Sequence, residues 1–181
     1  MKNIAILFSG NGTNLKYILE NLHNKDIRVV LTLTNNPNAK GIKYAKEHNI
    51  PLIIENSKNY NNREDFDRKI VNYIKKNNVD LTILAGFMRI LTPIFTKEIK
   101  AINLHPSLLP LHKGLNAIEN SYFDNNKYGG VSVHYVTNKL DSGKIIIQKK
   151  ISKDNLTLEE YRINIKKIEK LVLHEAILKI I

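Results

Sequence analysis

Short apolar runs alternate with segments of helical periodicity along the first hundred residues. Runs of four to eight mostly apolar residues predict buried strands, and apolar residues three or four apart predict amphipathic helices. The predicted strands are 2–8, 27–34, 51–54, 80–85 and 101–104, and the predicted helices are 13–23, 40–48, 63–77 and 93–99. This alternation favours a parallel sheet with right-handed crossovers and helices on both faces.

The last eighty residues follow a different pattern. Helical periodicity covers 115–123 and 156–180, and between them lie two predicted strands, 131–137 and 144–151, joined by a turn that contains Asp141. Strands joined by a short turn pair in antiparallel fashion. We therefore predict an α/β fold: a Rossmann-like single domain over the whole chain, with a mostly parallel central sheet, helices on both faces and an antiparallel C-terminal extension.

Composition narrows the class of protein. The 181 residues, 43% hydrophobic and 25% charged, suit one soluble globular domain with a sizeable core. The chain has no cysteine, which excludes disulfides, a thiolate nucleophile and a Cys-based zinc site. No apolar run reaches the ~18–20 residues of a membrane helix, and no signal-peptide cleavage site is visible. We expect a cytoplasmic enzyme or binding protein that acts away from membranes.

The net charge of +11 raises the question of a nucleic-acid partner. Lysine supplies 23 of the 28 cationic residues, they are spread along the chain, and no run of them exceeds two. Lysine, asparagine and isoleucine are all abundant, as the codon usage of an AT-rich genome would produce. We therefore expect no nucleic-acid partner. The alternative that stays open is selection for anionic small molecules, which a positive field would steer toward the protein.

Three segments lie where parallel strands end, which is where open α/β sheets bind their ligands. The first has the sequence S-G-N-G-T-N and spans 9–14. Gly10 and Gly12 permit positive φ and close backbone approach, and the helix that starts at Thr13 or Asn14 attracts anions. The dinucleotide and P-loop patterns are both absent. A phosphate monoester site and an ordinary turn without ligand both remain open.

The second segment, A-G-F-M-R-I-L at 85–91, follows the fourth predicted strand. Unpaired backbone groups at the strand end could bind a flat heterocycle, with Met88, Ile90 and Leu91 as apolar contacts. The alternative is an ordinary loop with Arg89 in solvent.

The third segment, I-N-L-H-P-S-L-L-P at 102–110, follows the fifth predicted strand. Asn103 and His105 are two residues apart in a strand and therefore project from the same face. An amide beside an imidazole can stabilise an oxyanion and transfer a proton. Asp141 is the only acidic residue between Asp124 and Asp154, so it is the candidate partner for this histidine. The alternative is a structural pair that supports irregular backbone.

The other histidines give weaker signals. His112 lies in a loop, and His134, two residues after Ser132 in an alternating strand, could either reach a pocket or be packed. The remaining three are expected on helix surfaces. No histidine spacing typical of a metal site occurs, so we expect no catalytic metal.

Five segments together carry a resemblance: F-S-G-N-G-T-N-L (8–15), A-G-F-M-R-I-L (85–91), N-L-H-P-S-L-L-P (103–110), S-V-H-Y-V (132–136) and L-D-S-G (140–143). They resemble the folate-dependent formyltransferases, and most closely the phosphoribosylglycinamide formyltransferase family of purine biosynthesis. The order and approximate spacing of the segments are those of the family, over residues 1 to 169.

The resemblance implies transfer of a formyl group from 10-formyltetrahydrofolate to the amine of phosphoribosylglycinamide, without a metal. It implies a catalytic trio of Asn103, His105 and Asp141. The implied substrate-binding residues are Gly12, Thr13, Asn14 and Glu169, the last across a one-residue gap in the match. The implied folate-binding residues are Arg63, Met88, Arg89, Ile90, Leu91 and Asn103. The implied partners are these small molecules alone, with the protein a monomer or a homodimer.

The chain departs from the family after the proline loop. The family has G-L-H-x-H there, whereas this chain has Asn116 and Ile118 at the histidine positions, and it ends at Ile181, before the usual C-terminal tail. Methionyl-tRNA formyltransferase and formyltetrahydrofolate deformylase share parts of the motifs. We expect neither, because the length has no room for the additional domain of each. A non-catalytic folate- or nucleotide-binding module is a further alternative, against which the complete trio argues.

Overall fold

The computed structural model describes all residues from Met1 to Ile181 and contains seven strands and six α-helices. The strands are β1 (Lys2–Phe8), β2 (Ile27–Thr34), β3 (Leu52–Ile54), β4 (Leu81–Leu84), β5 (Ala101–His105), β6 (Tyr128–Tyr135) and β7 (Ile145–Ser152). The helices are α1 (Thr13–Asn21), α2 (Ile42–Glu47), α3 (Arg63–Lys76), α4 (Pro93–Glu98), α5 (Ala117–Phe123) and α6 (Leu158–Ile180). Each was predicted within a few residues; a short 3-10 helix at Ser57–Asn59 was not.

The strands form one sheet in the order β3-β2-β1-β4-β5-β6-β7. β1 pairs in parallel with β2 and β4, and β2 pairs in parallel with β3. β6 and β7 pair in antiparallel fashion. The predicted fold class, a mostly parallel sheet with an antiparallel C-terminal extension, is therefore confirmed.

Contacts within the chain define two compact units, Met1–Ile102 and Asn103–Ile181, so the boundary falls inside β5. A single domain over residues 1–181 stays a prediction. In the first unit, the core is formed by β1, whose residues Ile4 to Phe8 are fully buried, and by the apolar faces of the helices. On α3 this face consists of Phe66, Ile70, Val71 and Ile74, the stripe that the periodicity predicted.

In the second unit, β6 packs against α6. A capping box formed by Thr157 and Glu160 stabilises the N-terminus of α6. β6 begins at Tyr128, three residues before the predicted start, because Gly129 and Gly130 belong to the strand rather than to a turn. A Cβ on Gly130 would lie 2.2 Å from the carbonyl oxygen of Lys149, so the close strand contact requires glycine there.

α5 begins at Ala117, two residues after the predicted start, because Asn116 adopts a left-handed conformation with φ 57°. Asparagine tolerates this conformation better than most residues. Asn116, which stands at a histidine position of the family motif, is thus a residue suited to the left-handed backbone found there. None of the helices combines the length and the apolar character needed to span a lipid bilayer.

Candidate active site

Three polar side chains predicted as a catalytic trio come together in the second unit. Asn103 and His105 both belong to β5, and His105 is 5% exposed. Asp141 lies in the turn between β6 and β7 and adopts a left-handed backbone conformation with φ 45°. Its side chain reaches Asn103, whose Nδ2 donates to Asp141 Oδ1 at 3.2 Å. The predicted spatial association of the three residues is therefore present.

The carboxylate of Asp141 is buried among donors. Gly114 N–H donates to Oδ2 at 2.8 Å, and Nδ1 of His105 lies 3.4 Å from the same oxygen. Burial by itself raises the pKa of Asp141, but contacts from His134 and Gly114 and the charge of His105 together hold that pKa below its usual value. Asp141 is accordingly an anion at neutral pH.

The two ring nitrogens of His105 face two different acceptors. Nε2 lies 2.8 Å from the carbonyl oxygen of His112, which can only accept, so Nε2 carries a proton. Nδ1 faces the carboxylate of Asp141 at 3.4 Å, a longer and weaker contact. Nδ1 is therefore the less tightly held of the two ring nitrogens.

His134 joins the trio, and the sequence did not assign it. It lies on β6 with 2% exposure; Nδ1 lies 2.9 Å from the carbonyl oxygen of Tyr135, and Nε2 lies 3.2 Å from Nδ2 of Asn103. Nε2 also lies 3.5 Å from Oδ1 of Asp141, so the ring faces both Asn103 and Asp141. The sequence feature that could have indicated His134 as a site residue is its spacing from Ser132, because residues two apart in a strand lie on the same face.

Ser132 supports the loop that follows β5. Its hydroxyl donates to the carbonyl oxygen of Ser107 at 2.6 Å and accepts from Leu109 N–H at 3.0 Å. Gln148 on β7 donates to the carbonyl oxygen of Leu109 at 2.8 Å. The peptide bond between Leu109 and Pro110 is cis. These bonds fix the backbone that leads from His105 to His112.

In the first unit, the glycine loop is held by close backbone packing. Gly12 has φ 70°, and a Cβ on it would lie 2.5 Å from Cα of Gly41. Gly41 N–H also donates to the carbonyl oxygen of Gly10 at 3.0 Å. α1 starts directly afterwards at Thr13 without a side-chain cap, and Asn14 is its second residue. The first turn of an uncapped helix attracts an anion.

The same unit connects the glycine loop to the segment after β4. Ser9 Oγ accepts from Met88 N–H at 2.8 Å, and Ser9 N–H donates to the carbonyl oxygen of Gly86 at 3.0 Å. The guanidinium of Arg89 stacks over the ring of Phe66 at 4.8 Å, while its Nε is buried without a hydrogen-bond partner. Two of the three predicted ligand segments are thus hydrogen-bonded to each other.

Segment 86–91 presents a mixed surface. Met88 and Ile90 are 66% and 51% exposed, whereas Leu91 is 6% exposed. Arg63, also predicted for folate binding, is the exposed first residue of α3. Apolar side chains and guanidinium groups thus occur on the same unit.

Glu169, predicted for the substrate, lies on α6 with 3% exposure, and both of its carboxylate oxygens accept from Lys166 Nζ, at 2.9 and 3.1 Å. Its role toward a substrate stays a prediction. No group of three or more His, Asp or Glu side chains is arranged to hold a metal ion.

Comparison with known proteins places these features in a family. The sequence profile described as "Formyl transferase" matches residues 2–177. Phosphoribosylglycinamide formyltransferase of Haemophilus influenzae is 39% identical over 155 residues, which cover 83% of this chain and 73% of that protein. The protein of the same name from Bacillus subtilis is 36% identical over 174 residues, covering 93% of this chain and 89% of its own length.

A solved structure agrees with these relatives. Phosphoribosylglycinamide formyltransferase from Campylobacter jejuni superposes with a TM-score of 0.97 at 49% identity, covering 99% of this chain and 97% of that chain. With a family profile that matches nearly the whole sequence and relatives that agree in fold and length, this chain belongs to the formyl transferase family.

Proposed function

We propose that this protein transfers a formyl group from 10-formyltetrahydrofolate to the amine of phosphoribosylglycinamide, a reaction of purine biosynthesis. The observation that carries the proposal is the trio in a member of the formyl transferase family: His105 and Asp141 are buried 3.4 Å apart, and the half-buried Asn103 donates a hydrogen bond to Asp141. The names of the relatives from Haemophilus influenzae and Bacillus subtilis supply the substrate.

The trio suits acyl transfer to an amine. Attack of the amine on the formyl carbon moves negative charge onto the formyl oxygen, and hydrogen-bond donors stabilise that charge. Asn103 Nδ2 becomes such a donor by exchanging its contact with His134 or Asp141, both of which are long at 3.2 Å. Catalytic hydrogen bonds often tighten only in the complex with substrate.

His105 handles the proton. The amine loses a proton as the new carbon–nitrogen bond forms, and the donor nitrogen gains one as the old bond breaks, so the transfer is balanced. Nδ1 of His105 performs this exchange, because Nε2 is held by the carbonyl of His112. Asp141, an anion 3.4 Å away, stabilises the imidazolium that forms.

The residues after β4 fit the formyl donor. The buried Nε of Arg89 lacks a partner, and the exposed Met88 and Ile90 flank this residue in the chain. A guanidinium beside apolar side chains suits an aromatic ligand that carries a carboxylate. From the family resemblance we propose Arg63, Met88, Arg89, Ile90 and Leu91 as contacts of the folate, and Asn103 as a contact of the formyl group. When bound there, 10-formyltetrahydrofolate supplies the formyl group.

The glycine loop fits the substrate phosphate. Gly12, Thr13 and Asn14 open α1 without a side-chain cap, and a Cβ on Gly10 would meet no atom within 4 Å, so the loop is open at that position. We further propose Glu169 as a contact of the glycinamide end. The proposed partners are these small molecules, the proposed location is the cytoplasm, and the proposed assembly is a monomer or homodimer without nucleic acid.

A direct assay tests the function. Purified protein is incubated with 10-formyltetrahydrofolate, with and without phosphoribosylglycinamide, and tetrahydrofolate release is followed together with the formylated product. We expect turnover only when the amine is present. Equal turnover without the amine would replace the proposal by deformylation, and tight folate binding without any turnover would replace it by a binding module.

A further inference from the structure

A second histidine–aspartate pair lies in the same unit as the trio. Nε2 of His112 is 2.5 Å from Oδ2 of Asp124, and the side chains are 20% and 16% exposed. Asp124 is the C-cap residue of α5, and His112 has a left-handed backbone with φ 53°. None of the roles assigned above uses the side chain of either residue.

Asp124 is fixed from several sides. Asn126 donates to it from both its backbone and its side chain, and the buried ammonium of Lys153 donates to Oδ1 at 2.5 Å. Burial raises the pKa of Asp124, but hydrogen bonds from Lys153, Asn126 and His112 outweigh burial and hold that pKa far below its usual range. The carboxylate is therefore charged and immobile.

Lys153 ties this carboxylate to the end of α5. Its Nζ also donates to the carbonyl oxygens of Ser121 at 2.6 Å and Asp124 at 3.1 Å. Carbonyl groups at the C-terminal end of a helix have no N–H donor within the helix, and Lys153 supplies one. The side chain is 8% exposed. We call His112, Asp124 and Lys153 the His112 anchor.

The anchor reaches the trio through the backbone. The carbonyl oxygen of His112 accepts from Nε2 of His105 at 2.8 Å, so the residue that binds Asp124 with its side chain holds the imidazole with its main chain. Two residues later, Gly114 N–H donates to Asp141. One short stretch of backbone therefore contacts both members of the His105–Asp141 pair.

The rest of this stretch has few inward side-chain contacts. Leu111 and Leu115 are 45% and 73% exposed, and Lys113 extends to the exposed Ser142. The backbone is left-handed at His112, Gly114 and Asn116, which glycine and asparagine tolerate but histidine adopts at a cost. The contact of the imidazole with Asp124 offsets this cost and fixes the direction of the His112 carbonyl.

We propose that His112 and Asp124 are positioning residues that hold the proton of His105 on Nε2 and so leave Nδ1 as the nitrogen that exchanges protons with the substrate. The effect on catalysis rests on the proposed formyl transfer, whereas the effect on the His105 proton does not. Loss of either side chain releases the carbonyl of His112 and lets the imidazole rotate or change tautomer.

The test uses three variants of the full chain and one control. His112→Asn keeps a residue that tolerates positive φ but is too short to repeat the contact with Asp124. Asp124→Asn removes the charge, and the double variant Asp124→Asn/Lys153→Met removes the ammonium that would otherwise be left unpaired. Asp154→Asn is the matched control, because Asp154 is an exposed carboxylate paired with Lys127 at 3.3 Å.

The first readout is the nitrogen-15 spectrum of the histidine rings, with His105 assigned by its loss in His105→Ala. We expect the wild type and Asp154→Asn to show a slowly exchanging proton on Nε2 of His105. In His112→Asn and the Asp124 variants this proton should exchange at least about tenfold faster. An unchanged Nε2 proton in folded variants would overturn the proposal.

The second readout is the kinetics of formyl transfer. We expect kcat to fall about tenfold in His112→Asn and in the Asp124 variants, with both KM values within about twofold of wild type, because binding is retained and orientation is lost. A kcat equal to that of Asp154→Asn would overturn the positioning role. If the wild type shows no transfer at all, the proposed function fails, and the Nε2 proton alone decides this inference.

Discussion

The second unit contains two histidine–aspartate pairs that differ in what surrounds them. In the first, Nδ1 of His105 and Oδ2 of Asp141 are 3.4 Å apart, and the carboxylate shares its neighbours with Asn103 and a backbone N–H. In the second, Nε2 of His112 and Oδ2 of Asp124 are 2.5 Å apart, and the ammonium of Lys153 neutralises the carboxylate. The first pair is nearly inaccessible to water, whereas the second is partly exposed.

This difference separates the pair that we propose as reactive from the pair that we propose as structural. A catalytic imidazole needs a nitrogen whose contact can be exchanged for a ligand, and the long contact of His105 with Asp141 provides it. A structural carboxylate is best held by many donors, as Asp124 is. Residue type alone therefore does not distinguish the two pairs, and our proposal rests on the other contacts that each side chain makes.

The largest expected contrast comes from making the same isosteric change in both pairs. Asp141→Asn keeps a residue that tolerates φ 45° but removes the anion that stabilises the imidazolium. We expect kcat to fall about 10³-fold, against about tenfold for Asp124→Asn. Steady-state kinetics of both variants measure this, and equal losses in the two would erase the distinction between the pairs.

The second contrast concerns stability. Lys153→Met leaves the carboxylate of Asp124 and the carbonyl oxygens at the end of α5 without their buried donor, which we expect to lower the free energy of unfolding by about 3 kcal/mol. Urea unfolding measures it as a lower midpoint at constant slope.

Lys149→Met is the control for that experiment. Its pair with Glu175 is about half exposed on both sides, so its loss should change the free energy of unfolding by less than about 0.5 kcal/mol. A Lys153→Met variant as stable as this control would show that the His112 anchor is not a structural element.

The smallest contrast extends the comparison to the first unit, where Asp67 is buried but poorly satisfied. Oδ2 accepts from Thr92 N–H at 2.6 Å, whereas Oδ1 has no partner. Burial is the main cause that raises the pKa of Asp67, and the hydrogen bonds from Thr92 only partly oppose it. This carboxylate is thus the opposite of Asp124, whose pKa is lowered.

Linkage gives the two carboxylates opposite pH dependence. Because the pKa of Asp67 is raised in the folded protein, ionisation of this carboxyl lowers the free energy of unfolding as pH rises through the folded pKa. The free energy of unfolding of Asp67→Asn should therefore increase relative to that of the wild type by less than about 1 kcal/mol between pH 4 and pH 7. The pKa of Asp124 is lowered in the folded protein, so its charge stabilises the fold above about pH 4, the pKa of an aspartate in the unfolded chain. That stabilisation is lost as pH falls through the pKa of the folded protein. Urea unfolding between pH 3 and 7 compares Asp67→Asn with Asp124→Asn; the same sign in both would contradict the contrast.

Most of the fold follows from local patterns in the sequence. Apolar runs and helical stripes predicted every strand and α-helix, because burial on one face leaves a periodic record in the chain. The errors fell where tertiary contacts decide. Gly129 and Gly130 resemble a turn, yet they lie in β6 because neighbouring atoms leave no room for a side chain.

The candidate site was predictable to the extent that motifs are local. Asn103 and His105 share one strand, and Asp141 is the only acidic residue between Asp124 and Asp154. The role of His134 depends on how β6 lies beside β5, which no local pattern encodes. The contact of His112 with Asp124 depends on a left-handed loop residue, and left-handed histidine is not predictable from neighbouring residues.

The central claim is that His105 performs proton transfer in a formyl transfer to an amine. The most direct test is the kcat/KM of His105→Ala for phosphoribosylglycinamide at saturating 10-formyltetrahydrofolate, with folding verified by circular dichroism. We predict a loss of at least about 10³-fold relative to wild type. A folded His105→Ala protein that retains the wild-type kcat/KM would contradict the account.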